Sequence, residues 1–212
     1  MISGLGAVVL CGGKSSRMGR SKALLPFGEE TLISRVVRRI ATVASPIVVV
    51  LAPEQPEPDL PIDVRFVRDE VEGRGPLLGL SAGLQALNGL VESCFVSSTD
   101  VPFIHPSLIS TLEEMRRSSN LDAVVPHAFG HYHPLSSVMC THVLSVVESL
   151  IQSNLMRPYF IFERTRTRFV TEAELKAHPD VAANDPNLLS LQNVNTPEEY
   201  ERALAAAGLL VR

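Results

Sequence analysis

The chain has 212 residues, 45% of them hydrophobic and 20% charged, with a formal net charge of −4 at pH 7. That hydrophobic share supports a sizeable core and excludes a disordered chain. The acidic balance excludes a general nucleic-acid binder, which carries a basic excess, and no apolar run reaches the length of a membrane span. Met1-Ile2-Ser3-Gly4 begins no signal-type segment, so a cytoplasmic protein is expected. Cys11, Cys94 and Cys140 are scattered, with no Cys-x-x-Cys, and read as buried free thiols. The length fits one domain, residues 1–212.

Strand and helix signals alternate along the chain. Gly6–Leu10 reads as a buried strand that ends in Gly12-Gly13 and a polar loop carrying Lys14, Arg17 and Lys22. Leu32, Ile33, Val36, Val37 and Ile40 have helical spacing within Thr31–Val43, with arginines opposite. The β-branched run Ile47–Leu51 predicts a strand covered on both faces. Pro53–Pro61 is a proline-rich acidic loop, and Ile62–Val67 predicts another strand. Leu77–Leu90 predicts a helix entered through Gly75-Pro76, and Cys94–Ser98 a strand ending at Thr99-Asp100.

Pro106–Arg117 predicts a helix with proline in its first turn, where no N–H is missed. Asp122–Val125 and Leu135–Met139 read as strands and Thr141–Leu150 as a helix. Arg164–Phe169 alternates charge and reads as an edge strand or a basic rim. A last helix follows Thr196-Pro197, capped by the threonine and with acidic residues in its first turn. The alternation implies an α/β fold, a three-layer α/β/α sandwich around a mostly parallel, Rossmann-like sheet. Ligands in such sheets bind beyond the carboxyl ends of the strands, so the clusters Cys11–Lys22, Asp69–Gly75 and Thr99-Asp100 are expected to share a crevice.

Several clusters point to chemistry. Glycines at 12 and 13 let the backbone approach phosphates, and Arg17 and Lys22 supply charge for a triphosphate. The loop is neither a Walker A motif nor Gly-x-Gly-x-x-Gly. Asp100, at a strand end beside Pro102, suits a Mg²⁺ ligand, and equally a turn or cap. Gly75, Gly79 and Gly83 recur every four residues, so one helix face can approach a base or a strand closely. Strand alternation would turn Asn193 and Asn195 to one side, as hydrogen-bonding amides or as supports for the following turn. His131 and His133 lack an evident third ligand for zinc, though His133 is placed to contact a substrate.

Taken together, these residues resemble the molybdenum cofactor guanylyltransferase family of the nucleotidyltransferase superfamily. The match runs through Leu10-Cys11-Gly12-Gly13, Arg17-Met18-Gly19, Ser21-Lys22-Ala23-Leu24, Asp69, Gly75-Pro76-Leu77, Asp100-Val101-Pro102, His133-Pro134 and Asn193-Val194-Asn195-Thr196-Pro197-Glu198-Glu199. The resemblance implies a fold of the nucleotide-diphospho-sugar transferase type. It also implies transfer of GMP from GTP to molybdopterin with Mg²⁺, releasing pyrophosphate.

By the same resemblance, Leu10, Gly12 and Gly13 would touch the nucleotide through their backbone. Lys22 would bind phosphate, Arg17 would steady the triphosphate, Asp69 would contact guanosine and Asp100 would hold Mg²⁺. Asn193 and Asn195 would lie near the pterin or the metal. Arg17, Lys22 and Asp100 form the expected catalytic set. Other molybdenum cofactor biosynthesis proteins or recipient apoenzymes are the implied partners, with neither nucleic acid nor membrane.

Cys11 stands where the family has Ala and Ser21 where it has Asp. Ala52-Pro53 stands where the family often has an Asn that reaches the nucleotide. Three alternatives stay open: a cytidylyltransferase for molybdopterin, a nucleotidyltransferase for another small phosphorylated metabolite, and a non-catalytic nucleotide-binding module.

Overall fold

The computed structural model describes residues 1–12, 22–69 and 74–209. Strands β1 (Leu5–Leu10) and β4 (Ile47–Leu51) are buried at every position. Between them lie a two-residue hairpin, β2 (Pro26–Phe27) and β3 (Glu30–Thr31), and helix α1 (Leu32–Ile40). Thr31 caps α1, its hydroxyl accepting from the Ser34 N–H. Next come β5 (Arg65–Arg68), α2 (Pro76–Leu87), β6 (Ser93–Ser98) and α3 (Pro106–Ser118). The chain then forms β7 (Ala123–Ala128), β8 (His131–Tyr132), β9 (Ser136–Cys140), α4 (Leu144–Gln152) and α5 (Tyr159–Glu163). It finishes with β10 (Thr167–Thr171), α6 (Glu172–Ala177), α7 (Pro179–Asn184) and α8 (Pro197–Ala206).

The main sheet runs β10-β7-β9-β6-β1-β4-β5, with β8 added on β7. Neighbours are parallel, except that β9 is antiparallel to β6 and β7, and β8 is antiparallel to β7. The alternating side chains of β1 divide the core. Leu5, Ala7 and Val9 join α1 and α3 in one apolar cluster, whereas Val8 and Leu10 join α2 and α4 in the other. Three layers result, as the alternation of elements predicts. Chain order reverses at β1, whose partners are β4 on one side and β6 on the other. A crevice opens at the carboxyl ends of strands where order reverses in this way.

The Gly79 and Gly83 positions of α2 face the sheet. A Cβ built on Gly83 would lie 2.4 Å from Val8 Cγ1, and one on Gly79 would lie 3.4 Å from Leu10 Cδ2. Close packing of helix on strand therefore accounts for Gly83. Among the described residues no helix is long and apolar enough to cross a membrane.

Some boundaries differ from the sequence expectation. Helix α1 stops at Ile40 rather than Val43, and β5 begins at Arg65 rather than Ile62. The segment after Cys140 opens as a 3₁₀ turn, Thr141–Val143, before α4. Residues 192–195 form no strand, so alternation does not orient Asn193 and Asn195. The arginine run resolves as the edge strand β10. Arg166 pairs with Asp122 at 2.8 Å and Arg168 with Glu174 at 2.9 Å.

Two predictions follow from this packing. Gly83→Ala should destabilise the fold by about 1–3 kcal/mol, because Val8 must move to admit the methyl group; denaturant unfolding measures this. The second concerns Asp122, whose carboxyl is held down to about 2 by hydrogen bonds from the Arg166 side chain and backbone, with His142 also alongside. A lowered folded pKa gives stability that is present above the ordinary value near 4 and fades as pH falls towards 2. Unfolding of Asp122→Asn should therefore vary less with pH across that window than unfolding of the wild type.

Candidate active site

A cavity of about 490 Å³ opens where β1, β4, β5 and β6 end, lined by Leu10, Gly12, Ala52, Pro53, Asp69 and Asp100 among others. Backbone bonds fix these strand exits relative to one another. Cys11 N donates to Val50 O and Asp69 N to Leu51 O, both at 2.8 Å. Gly12 sits against the following loop: a Cβ there would approach Ala52 N to 3.2 Å. Gly75, Pro76 and Gly79 bring the amino end of α2 to the same cavity, and a Cβ on Gly79 would lie 3.6 Å from Asp69 Oδ2.

Charge collects at the other end. Lys22 opens a single 3₁₀ turn, Lys22–Leu24. Its ammonium donates to Asp100 Oδ2 and to Asn195 Oδ1, both at 2.9 Å. The Lys22 and Asp100 side chains are only 17% and 12% exposed, so water screens the pair little. Ser98 donates its hydroxyl to Asp100 Oδ1. Asp100 is further held through its backbone, whose carbonyl accepts from Val194 N at 2.8 Å.

The segment that carries Val194 is fixed by α8. Thr196 and Glu199 form a reciprocal capping box, and Glu199 Oε2 also accepts from Asn195 N at 2.6 Å. Arginines of α1 secure the loop beyond Asp100: Arg35 donates to Pro102 O at 2.8 Å and Arg39 to Ile104 O.

A second, wider cleft of about 830 Å³ shares Asn193 with the first. Phe129, His131, Tyr132, His133, Asn195 and Arg202 contribute to it. Phe129 and Gly130, both at positive φ, make the two-residue turn between β7 and β8. An aromatic residue seldom adopts that conformation, and such strain gathers at functional sites. Burial lowers the pKa of His133, whose Nε2 bonds Ala128 O at 3.1 Å.

Of the sequence-predicted residues, Leu10, Gly12, Lys22, Asp69, Asp100 and Asn193 line the first cavity. Asn195 joins through Lys22. Gly13 and Arg17 lie outside the described residues, as does Ser21. Arg164, Arg166 and Arg168 line neither cleft. Ser98, Arg35, Arg39 and Arg202 carried no sequence signal. Only the strand end at Ser98-Thr99-Asp100 marked the place where Ser98 serves. Among the described residues no three His, Cys, Asp or Glu side chains gather as a group that could hold a metal ion.

Residues 7–167 match the family model for the MobA-like NTP transferase domain. The chain is 31% identical over 200 residues to a Pelotomaculum thermopropionicum protein named "Probable molybdenum cofactor guanylyltransferase", covering 94% of this chain and 92% of that one. It is 37% identical over 150 residues to a protein of the same name from Mycobacterium avium, covering 69% and 75%. In structure it is similar to molybdopterin-guanine dinucleotide biosynthesis protein A from Archaeoglobus fulgidus, with TM-score 0.77, 22% identity and coverage of 97% and 100%. It is also similar to 2-C-methyl-D-erythritol 4-phosphate cytidylyltransferase from Thermus thermophilus, with TM-score 0.69, 16% identity and coverage of 98% and 100%. The last two likenesses show the fold.

Proposed function

Because the chain belongs to the MobA-like NTP transferase family and is a nucleotidyltransferase, we propose that residues 1–212 act as one domain that transfers GMP from GTP to molybdopterin. Pyrophosphate leaves and molybdopterin guanine dinucleotide forms. The observation that carries this reading is the Lys22 ammonium joined to Asp100 and Asn195 at the mouth of a cleft of nucleotide size. The relatives named as molybdenum cofactor guanylyltransferases support the choice of GTP and of the pterin. The free, buried cysteines fit the reducing cytoplasm.

In this reading the nucleoside lies along Leu10, Asp69 and Gly79, with its phosphates towards Gly12 and Lys22. Gly13 and Arg17 extend the phosphate site. Asp100 suits Mg²⁺: its carboxylate and the Asn195 amide oxygen converge on Lys22, and magnesium completes such a small set of oxygens with substrate phosphates and water. The ion would neutralise triphosphate charge when bound.

The acceptor lies in the second cleft, across Asn193 and Asn195, with its phosphate turned towards the first. An acceptor phosphate oxygen bonds the α-phosphorus of GTP, and the bond to the bridging oxygen breaks. Both electrons of that bond leave with pyrophosphate. The attacking oxygen is already anionic near neutral pH, so no strong general base is required. Positioning and charge stabilisation by Lys22 and its neighbours supply the catalysis.

Calorimetric titration of GTP and of CTP, each with and without Mg²⁺, tests the reading. Tight GTP binding that needs Mg²⁺, with weak CTP binding, is expected. A preference for CTP would move the chain to cytidylyl transfer, and binding of neither would overturn the nucleotidyl reading. With acceptor present, Asp100→Ala should lower pyrophosphate release by roughly a hundredfold or more while the folded circular dichroism spectrum persists. Full activity in that variant would remove Asp100 from the site.

A further inference from the structure

The loop after β4 forms the apolar wall of the first cavity through Ala52 and Pro53. Neither residue has a polar side chain, and Pro53 has no N–H. The remaining main-chain groups of this wall are engaged behind it. Gln55 accepts from Ala52 N through Oε1 at 3.2 Å, and its own N–H bonds Ala52 O at 3.2 Å. The Gln55 side-chain amide reaches on to donate to Cys11 Sγ at 3.2 Å. From the outer side, Arg68 Nη1 donates to the carbonyls of Ala52, Pro53 and Gln55 at 3.2, 3.1 and 2.7 Å.

We propose that Gln55 and Arg68 are positioning residues that hold this wall, and through it set how the site discriminates between nucleobases. The clamp ties the wall to Cys11 on one flank and to the end of β5 on the other. It draws the polar backbone atoms of the loop away from the cavity and leaves the methyl of Ala52 and the ring of Pro53 as a rigid packing surface. A flat heteroaromatic ring packs on such a surface, and a fixed wall rejects rings of the wrong width. Released from the clamp, the loop offers a movable N–H and three carbonyls that hydrogen-bond any base. Cys11 belongs to this device: its sulfur is the acceptor that orients the Gln55 amide. At the triphosphate end, Lys22 and Asp100 are held by Asn195, Ser98 and Val194 and not by the clamp.

The inference rests on the nucleotide reading of the cleft, and the test separates the two. GTP, ATP, CTP and inorganic tripolyphosphate, each with Mg²⁺, are titrated into the wild-type chain and into Gln55→Ala, Arg68→Ala and Arg68→Lys. The two alanine variants should bind GTP about five- to thirtyfold more weakly and with smaller differences among the three nucleotides. Tripolyphosphate binding should stay unchanged, which also shows that the variants are folded. Arg68→Lys should recover part of the loss. Wild-type protein that binds no nucleotide overturns the nucleotide reading and this inference together. Wild-type discrimination retained by both alanine variants overturns the clamp alone. So does an equal loss of tripolyphosphate and GTP, since the clamp would then serve the whole site.

Discussion

An ammonium group in a half-buried cleft must find acceptors, because leaving it unpaired away from water is costly. Lys22 finds them on residues 78 and 173 positions further along the chain. The 3₁₀ turn after the first strand, the end of β6 and the segment before the last helix are thereby fixed on one another. The backbone bond from Val194 to Asp100 repeats the same junction without charge. The α8 capping box fixes the orientation of the Asn195 backbone. The cation and the Val194–Asp100 backbone bond together join the end of β6 to the segment that carries Asn193, the residue common to the two clefts.

The glycine stripe of α2 serves the same arrangement from the other side of the sheet. With Gly83 against Val8, the helix lies close enough for its amino end to reach Asp69 and the cavity. The arginines of α1 act from the opposite layer, holding the main chain that follows Asp100. Both layers grip the strand ends, where the sheet adds the side chains of Leu10, Val50, Leu51 and Ser98 to the site. Groups carried on rigid elements in this way hold geometry better than groups on free loops.

The layered fold was legible because its central strands are buried on both faces and several of its helices carry clear start signals. Ile47–Leu51 and the Thr196-Pro197 cap appear where the residues place them. The direction of β9 was not legible. Ser136–Cys140 is uniformly buried, and a strand covered on both faces carries no pattern that tells parallel from antiparallel. The short helices between residues 159 and 184 were also missed, since helices of five or six residues show too few periods to register. At the site, residue type located Lys22, Asp69 and Asp100. Asn193 and Asn195 reach it by a different route, a capped irregular segment in place of an alternating strand. Gln55 sits in a proline-rich loop and gave no sign, because its partner is a cysteine 44 residues away.

The separation of Lys22 from Asn195 has a consequence for the order in which a ribosome makes this protein. When Asp100 emerges, Lys22 already has its carboxylate partner, and β1, β4 and β6 can pair. The amide partner comes 95 residues later, after β7, β9, β10 and their helices have been added. A nascent or truncated chain ending before residue 190 therefore has most of the core and the Ala52-Pro53 wall of the first cavity, yet lacks Asn193, which the two clefts share. The junction between the two clefts is therefore completed only once residues 194 and 195 have been made.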